Sequence, residues 1–134
     1  MKKLLSIVCC AVVLLSVSSC TKQYITPNPN KTITVNLASS DWTLTDPTVG
    51  TSYQTSIDMP EITDQSAALD GVVVSISYDG GKTFEQVPEV YNNVSYSYTY
   101  NTGDVTIYAQ APTGGLPSNV PDPIVVKIVL VYSN

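Results

Sequence analysis

This 134-residue chain contains no histidine and no arginine, which removes two side chains that enzymes commonly use for chemistry. Histidine is the usual general base, and arginine commonly stabilises an oxyanion or a phosphate. Paired carboxylates can still perform acid–base chemistry, and Asp79, Asp104 and Asp122 lie in predicted turns. Their spacing brings no two of them together and forms no Asp-x-Asp-x-Asp calcium loop. The sequence therefore predicts no catalytic residue, no metal site and no cofactor.

Three tyrosines, Tyr96, Tyr98 and Tyr100, alternate with small polar residues and form a stripe on one face of a predicted strand. The aligned rings of this tyrosine stripe could stack on sugar rings or line a protein-binding surface. The alternative is that they pack within the sheet, since tyrosine is enriched in strands and in cross-strand pairs. The apolar partners Val94 and Val105 favour packing, with the tyrosine face turned inward. The stripe remains the candidate binding face.

The N-terminal segment has the parts of a secretory signal peptide. Lys2 and Lys3 form a charged start, residues 4–17 form an apolar core, and small residues lead into Cys20. The apolar run is short against the roughly 20 residues that a membrane-spanning helix needs. We therefore predict an export signal over residues 1–19 and not a transmembrane anchor.

The residues Val17-Ser18-Ser19-Cys20 at the end of this segment resemble the lipobox of bacterial lipoproteins. That resemblance implies cleavage just before Cys20, a diacylglycerol on the Cys20 sulfur and acylation of the freed amine. A secretory signal without lipid is the alternative, in which the cysteine is coincidental. On the lipoprotein interpretation the two remaining cysteines are discarded with the signal. The mature protein then has no thiol for an internal disulfide, and its stability depends on a packed core.

The mature chain is acidic. Removing the signal leaves four of the six lysines against all eleven acidic residues, a net charge of about −7. Such a chain is a poor partner for the phosphate backbone of nucleic acids, and it has no basic patch for anionic lipid. The predicted partner is a membrane, bound through the lipid on Cys20. Two or three acyl chains hold a protein stably, since each buried methylene contributes about 0.8 kcal/mol.

Beyond the signal, the sequence predicts a tether followed by one all-β domain. Residues 20–30 contain two prolines among polar residues, which is typical of an extended linker. Over residues 31–134 apolar and polar residues alternate almost throughout, and no segment shows a convincing helical repeat. About seven or eight short strands predict a single antiparallel β-sandwich of immunoglobulin-like architecture. The strand at residues 124–132 is apolar on both faces and should be central, and Trp42 should lie in the core.

Residues 77–84, which read Ser-Tyr-Asp-Gly-Gly-Lys-Thr-Phe, resemble the Asp-box found on hairpins of sialidase propellers. The aspartate of such a box bonds turn amides, and its glycines accept positive φ. In sialidases the box is structural and lies away from the chemistry, and the arginines that hold their substrate carboxylate are absent here. A propeller also needs several blades of about 40–50 residues, more than this chain provides. The resemblance therefore predicts a hairpin around Asp79 and implies nothing about activity.

Several features together are similar to those of small Bacteroidota lipoproteins that have no assigned activity. They are the lipobox, the run from the valines at residues 72–74 through the glycine turn to Val87 and Pro88, the tyrosine stripe and the apolar strand at residues 124–131. In that phylum, acidic residues just after the lipidated cysteine commonly mark export to the cell surface. Here a threonine, a lysine and a glutamine follow Cys20, and the first acidic residue is Asp41. This departure favours the periplasmic leaflet of the outer membrane over surface display.

We therefore expect a lipid-anchored lipoprotein of the cell envelope that acts as a non-enzymatic binding module or as a structural part of an assembly. Its partner beyond the membrane would be an envelope protein or a glycan. The alternative is a carboxylate-based glycan hydrolase, or a carbohydrate-binding module that uses the tyrosine stripe. Acidic side chains converging in a cleft would favour the hydrolase, whereas an exposed aromatic face would favour binding.

Overall fold

The computed structural model describes residues 30–46, 48 and 50–133. The signal over residues 1–19, Cys20 and all but the last residue of the tether lie outside these described residues. The first strand begins at Lys31.

Nine β-strands form two antiparallel sheets in the described part of the chain. They are β1 (Lys31–Leu37), β2 (Thr43–Leu44), β3 (Tyr53–Met59), β4 (Gly71–Ser77), β5 (Glu85–Gln86), β6 (Glu89–Tyr91), β7 (Val94–Asn101), β8 (Gly103–Gln110) and β9 (Ile124–Val131). The four-stranded sheet has the order β1-β9-β4-β5, and the five-stranded sheet has the order β2-β3-β8-β7-β6. This confirms the predicted fold class, an all-β antiparallel sandwich, with nine strands where about seven or eight were expected.

Alternating side chains of the strands fill the space between the two sheets. Along β9, Ile124, Val126, Ile128 and Leu130 are 0–3% exposed, and the residues between them face away from the core. Strand β9 pairs with β1 on one side and with β4 on the other, so it is central, as its apolar sequence predicts. Trp42 also lies in the core, as expected.

Three short elements are not indicated by the sequence pattern, and the first along the chain is a single 3-10 turn at Ser39–Asp41. Helix α1 spans Asp64–Leu69, and its six residues make less than two turns, too few for an apolar repeat to show. The Thr63 hydroxyl caps its first turn by accepting a hydrogen bond from the Ser66 amide at 3.2 Å. Strand β6 has only three residues and directly follows Pro88, so no alternation identifies it.

The turn after β4 is held by the side chain of Asp79. Its Oδ1 atom accepts hydrogen bonds from the Ser77 hydroxyl at 2.7 Å, the Thr83 amide at 2.9 Å and the Lys82 amide at 3.1 Å. Both glycines of the turn have positive φ, +74° and +89°. These bonds hold the pKa of Asp79 well below its ordinary value, and the bond from the Thr83 amide has the largest effect. All of them are local to the turn, which is the structural role that the Asp-box resemblance implies.

Replacing Asp79 with asparagine should lower the melting temperature at neutral pH and remove part of the acid sensitivity of the fold. Because the pKa of Asp79 is lowered on folding, its stabilisation is present above the ordinary pKa of 3.8 and is lost as the pH falls through the folded value. Thermal unfolding of the parent and Asp79→Asn should therefore differ at about pH 7 and converge toward about pH 2. Asp58→Asn, at an exposed carboxylate on β3, is the control. An equal difference at both pH values would contradict this role.

Candidate functional site

A cleft of about 370 Å³ opens at one end of the sandwich. It is lined by Tyr78, residues 91–94, Tyr96 and residues 117–122, and we call it the tyrosine cleft. Four parts of the chain build this cleft: the first residue after β4, the turn between β6 and β7, strand β7 itself and the loop that leads into β9. Its volume falls within the range of roughly 300–1,000 Å³ that is typical of small-ligand sites.

Two stacked tyrosine rings form one wall of the cleft and join the two sheets. Tyr78 follows β4 of the four-stranded sheet, and Tyr91 ends β6 of the five-stranded sheet. Their ring centroids are 3.7 Å apart and their planes differ by 5°, so the rings lie face to face. Tyr91 is 42% exposed although Tyr78 covers one of its faces. The exposed area therefore belongs to its other face and its edges, which are accessible to a ligand.

A hydrogen bond fixes the orientation of the inner ring of this stack. The Tyr78 hydroxyl donates to Glu89 Oε1 at 2.6 Å. Burial raises the pKa of Tyr78 most, and the hydrogen bond to Glu89 raises it further. The Tyr78 hydroxyl therefore stays protonated throughout the physiological pH range. Burial also raises the pKa of Glu89, and the neighbouring Glu85 carboxylate adds to this increase. Tyr78 is thus a fixed support for the ring of Tyr91.

Tyr96 lies at the base of the cleft. Its side chain is only 3% exposed, and its ring packs at a tilt against Trp42 and Tyr78, with centroid distances of 6.3 and 5.7 Å. The pKa of Tyr96 is raised to about 12, mainly by burial and in second place by the negative charge of Asp122. A continuous row of four aromatic rings therefore runs from Trp42 in the core, through Tyr96 and Tyr78, to the exposed Tyr91.

The tyrosine stripe faces the core. Tyr98 and Tyr100 are partly buried against the hydrophobic core, and the Tyr98 hydroxyl donates to the Val72 carbonyl of the opposite sheet at 2.7 Å. Of the three candidate residues in the stripe, only Tyr96 lines the tyrosine cleft. The stripe is therefore used mainly for packing, and the exposed aromatic ring of the site is that of Tyr91.

The turn between β6 and β7 places two amide side chains at the cleft. Asn92 and Asn93 are its central residues, with φ of +47° and +61°. Positive φ at both central positions is typical of a type I′ hairpin turn, and asparagine tolerates this conformation better than most residues. Both residues line the cleft and both are exposed. Their side chains can therefore donate and accept hydrogen bonds to a ligand.

The second half of the loop that leads into β9 contains a short segment, residues 117–121, that begins and ends at buried prolines. Pro117 and Pro121 are buried, and the Ser39 hydroxyl donates to the Pro121 carbonyl at 2.8 Å. Residues 118–120, which read Ser-Asn-Val, are exposed between these two prolines and line the cleft. This segment thus presents a hydroxyl, an amide and an apolar side chain between two buried prolines.

The three turn carboxylates considered for catalysis are not brought together. Asp79 is bonded within its own turn, Asp104 accepts a hydrogen bond from Asn101 at 3.0 Å, and Asp122 lines the tyrosine cleft. Among the described residues, no group of three or more His, Cys, Asp or Glu side chains could hold a metal ion. The cleft offers aromatic surface, neutral hydrogen-bonding groups and one carboxylate. This combination suits binding better than proton transfer.

The sequence pattern does not reveal most of this site. Tyr78 occupies a variable position of the Asp-box, and Tyr91 lies outside the tyrosine stripe. The asparagine pair at residues 92 and 93, between two alternating runs, is a local signal that could have indicated a hairpin turn at the rim.

No protein-family model, no curated protein sequence and no solved structure matches this chain. Across the part of the chain that the structure describes, no helix has the length and apolar character needed to cross a membrane. The site is therefore interpreted from its own geometry.

Proposed function

We propose that this chain is a lipid-anchored lipoprotein of the bacterial cell envelope that acts as a non-enzymatic binding module through the tyrosine cleft. The observation that supports this most is the exposed ring of Tyr91, backed on its covered face by Tyr78 in a concave site. Aromatic rings have few rotatable bonds, so ordering them costs little conformational entropy when a ligand binds.

The anchor in this proposal rests on the sequence. The lipobox supports lipid on Cys20, and residues 20–30 then connect the lipid to the domain. An extended chain of that composition reaches about 3 Å per residue, or roughly 30 Å in all. The domain would be held close to the membrane with its cleft free to meet an envelope protein or a glycan. The residues after Cys20 favour the periplasmic leaflet of the outer membrane.

The chemistry of the cleft supports binding over catalysis. Asp122 is the only charged side chain among the residues that line it. Glycoside hydrolysis needs two carboxylates at a defined separation across the scissile bond. The chain has no histidine or arginine to supply another acid–base group or an oxyanion clamp.

A carboxylate-based glycan hydrolase is the second candidate, and one observation favours it. Burial raises the pKa of Glu89, and the charges of Asp122 and Glu89 both act on Tyr96. Such hydrolases use two carboxylates near one site, one as the acid and one as the base or nucleophile. The Glu89 carboxylate, however, already accepts a hydrogen bond from the Tyr78 hydroxyl. Incubation with envelope glycans discriminates: new reducing ends that disappear in Asp122→Asn would establish the hydrolase.

Retention on delipidated envelope material tests the proposed function, because without bilayer the anchor alone cannot cause binding. We expect the mature protein, in detergent micelles, to be retained by detergent-washed peptidoglycan sacculi or by delipidated outer-membrane proteins. Tyr91→Ala should reduce retention at least about tenfold, because it removes the exposed ring of the site.

Leu69→Ala is the control for this experiment. Leu69 is also an exposed apolar residue, with 62% of its surface accessible. It ends α1 just before the start of β4, whereas the cleft lies beyond the other end of that strand. This variant should bind like the parent. Equal retention of Tyr91→Ala and the parent, or no retention of the parent by either fraction, would contradict the proposal.

A further inference from the structure

We infer that the tyrosine cleft binds an uncharged oligosaccharide, with one sugar ring stacked on the exposed face of Tyr91. This inference rests on the proposed function and names the ligand class of the same cleft. A volume of about 370 Å³ is at the small end of the range for ligand sites. The cleft therefore accommodates a compact group, such as the end of a glycan chain, and not a folded protein surface.

Stacking on Tyr91 suits a sugar ring. A pyranose presents a patch of C–H groups on its face and hydroxyls around its edge, and the negative face of an aromatic ring attracts such C–H groups. Tyr78 covers one face of the Tyr91 ring at a centroid distance of 3.7 Å, and Tyr91 is 42% exposed, so its other face is the platform for a sugar. Val120, which is 41% exposed, adds apolar surface to the same cleft.

The polar groups of the cleft match the hydroxyls of a sugar. Asn92, Asn93, Ser118 and Asn119 line the cleft, and each side chain can both donate and accept hydrogen bonds. Sugar hydroxyls also donate and accept, so they can pair with every one of these groups. A ligand with acceptors alone would leave part of them without a partner, which costs affinity.

The charge of the cleft opposes an anionic ligand. Asp122 is the only charged residue in the lining, and none of the lysines of the described chain is among the lining residues. A phosphate, sulfate or carboxylate group would therefore meet a negative charge with no cation beside it. A cationic ligand would find a single carboxylate, that of Asp122, among the lining residues. Four of the polar side chains that line the cleft are neutral and one is a carboxylate, so the lining favours a neutral ligand.

Calorimetric titration of the mature lipidated protein in micelles tests this inference. The probes are neutral tetrasaccharides of glucose, mannose, galactose and N-acetylglucosamine, the anionic tetramer of galacturonic acid and the cationic tetramer of glucosamine. We expect at least one neutral tetrasaccharide to bind with a Kd below about 1 mM, and both charged tetramers to bind more weakly.

Four variants locate the binding at the cleft. Tyr91→Ala should weaken it about tenfold, and Tyr91→Phe should stay within about twofold of the parent because the ring is kept. Asn119→Ala, on an exposed loop, should weaken it about fivefold through a lost hydrogen bond. Leu69→Ala should leave the Kd unchanged. Melting temperatures confirm that each variant is folded.

Binding confined to either charged tetramer would overturn the inference. So would neutral binding that is unchanged in both Tyr91→Ala and Asn119→Ala. If no tetrasaccharide binds while envelope fractions still retain the protein through Tyr91, the glycan inference fails and the proposed function stands. If retention is also lost, both fail.

Discussion

Tyr96→Ala is expected to lower the free energy of unfolding by about 3–5 kcal/mol, which is a large part of the total stability of a small domain. The Tyr96 side chain is 3% exposed, and its ring joins Trp42 in the core to Tyr78 at the cleft. Truncation therefore removes buried area and leaves a cavity between the sheets. Urea unfolding of the mature protein, followed by tryptophan fluorescence, measures the loss.

Tyr91→Ala is the matched control, since it removes the same side chain from an exposed position. It loses one face-to-face contact with Tyr78, and we expect it to cost no more than about 1.5 kcal/mol. Comparable losses in Tyr96→Ala and Tyr91→Ala would contradict the assignment of one ring to the core and the other to the ligand.

Cys20→Ala should abolish fatty-acid incorporation and leave an uncleaved or mislocalised precursor. The lipobox resemblance places the diacylglycerol on the Cys20 sulfur, so alanine removes the atom that would be modified. Metabolic labelling with a palmitate analogue measures the result. Cys10→Ala is the control, because Cys10 lies in the segment predicted to be discarded. Equal labelling of Cys20→Ala and the parent would show that the lipid is not on this residue.

The long strands could be predicted because each one buries a regular face. In β4, Val72, Val74 and Ile76 alternate with more exposed residues, and this period of two is visible in the sequence. Strand β9 is apolar on both faces, which indicated its central place. The six residues of α1 and the three residues of β6 are too few to produce a repeat, so only the packed structure reveals them.

The cleft could not be predicted because it depends on how the two sheets meet. Tyr78 follows a strand of one sheet and Tyr91 ends a strand of the other, and no local pattern indicates that their rings stack. The tyrosine stripe was visible in the sequence, and its apolar partners Val94 and Val105 favoured an inward face. The packing of Tyr96 against Trp42 and the bond from Tyr98 to Val72 show that this face is inward.

Site-specific photo-crosslinking in intact cells tests most directly whether the tyrosine cleft is the binding surface. A benzophenone amino acid replaces Val120 at the cleft or, in a separate strain, Leu69, which ends α1 just before the start of β4; the two positions are 41% and 62% exposed. Strand β4 has seven residues, so its start near Leu69 and its end near the cleft are about 20 Å apart. This distance is beyond the reach of the benzophenone side chain. We predict a covalent adduct with an envelope component from position 120 and none from position 69. Adducts of equal yield at both positions, or an adduct at position 69 alone, would contradict binding through the cleft.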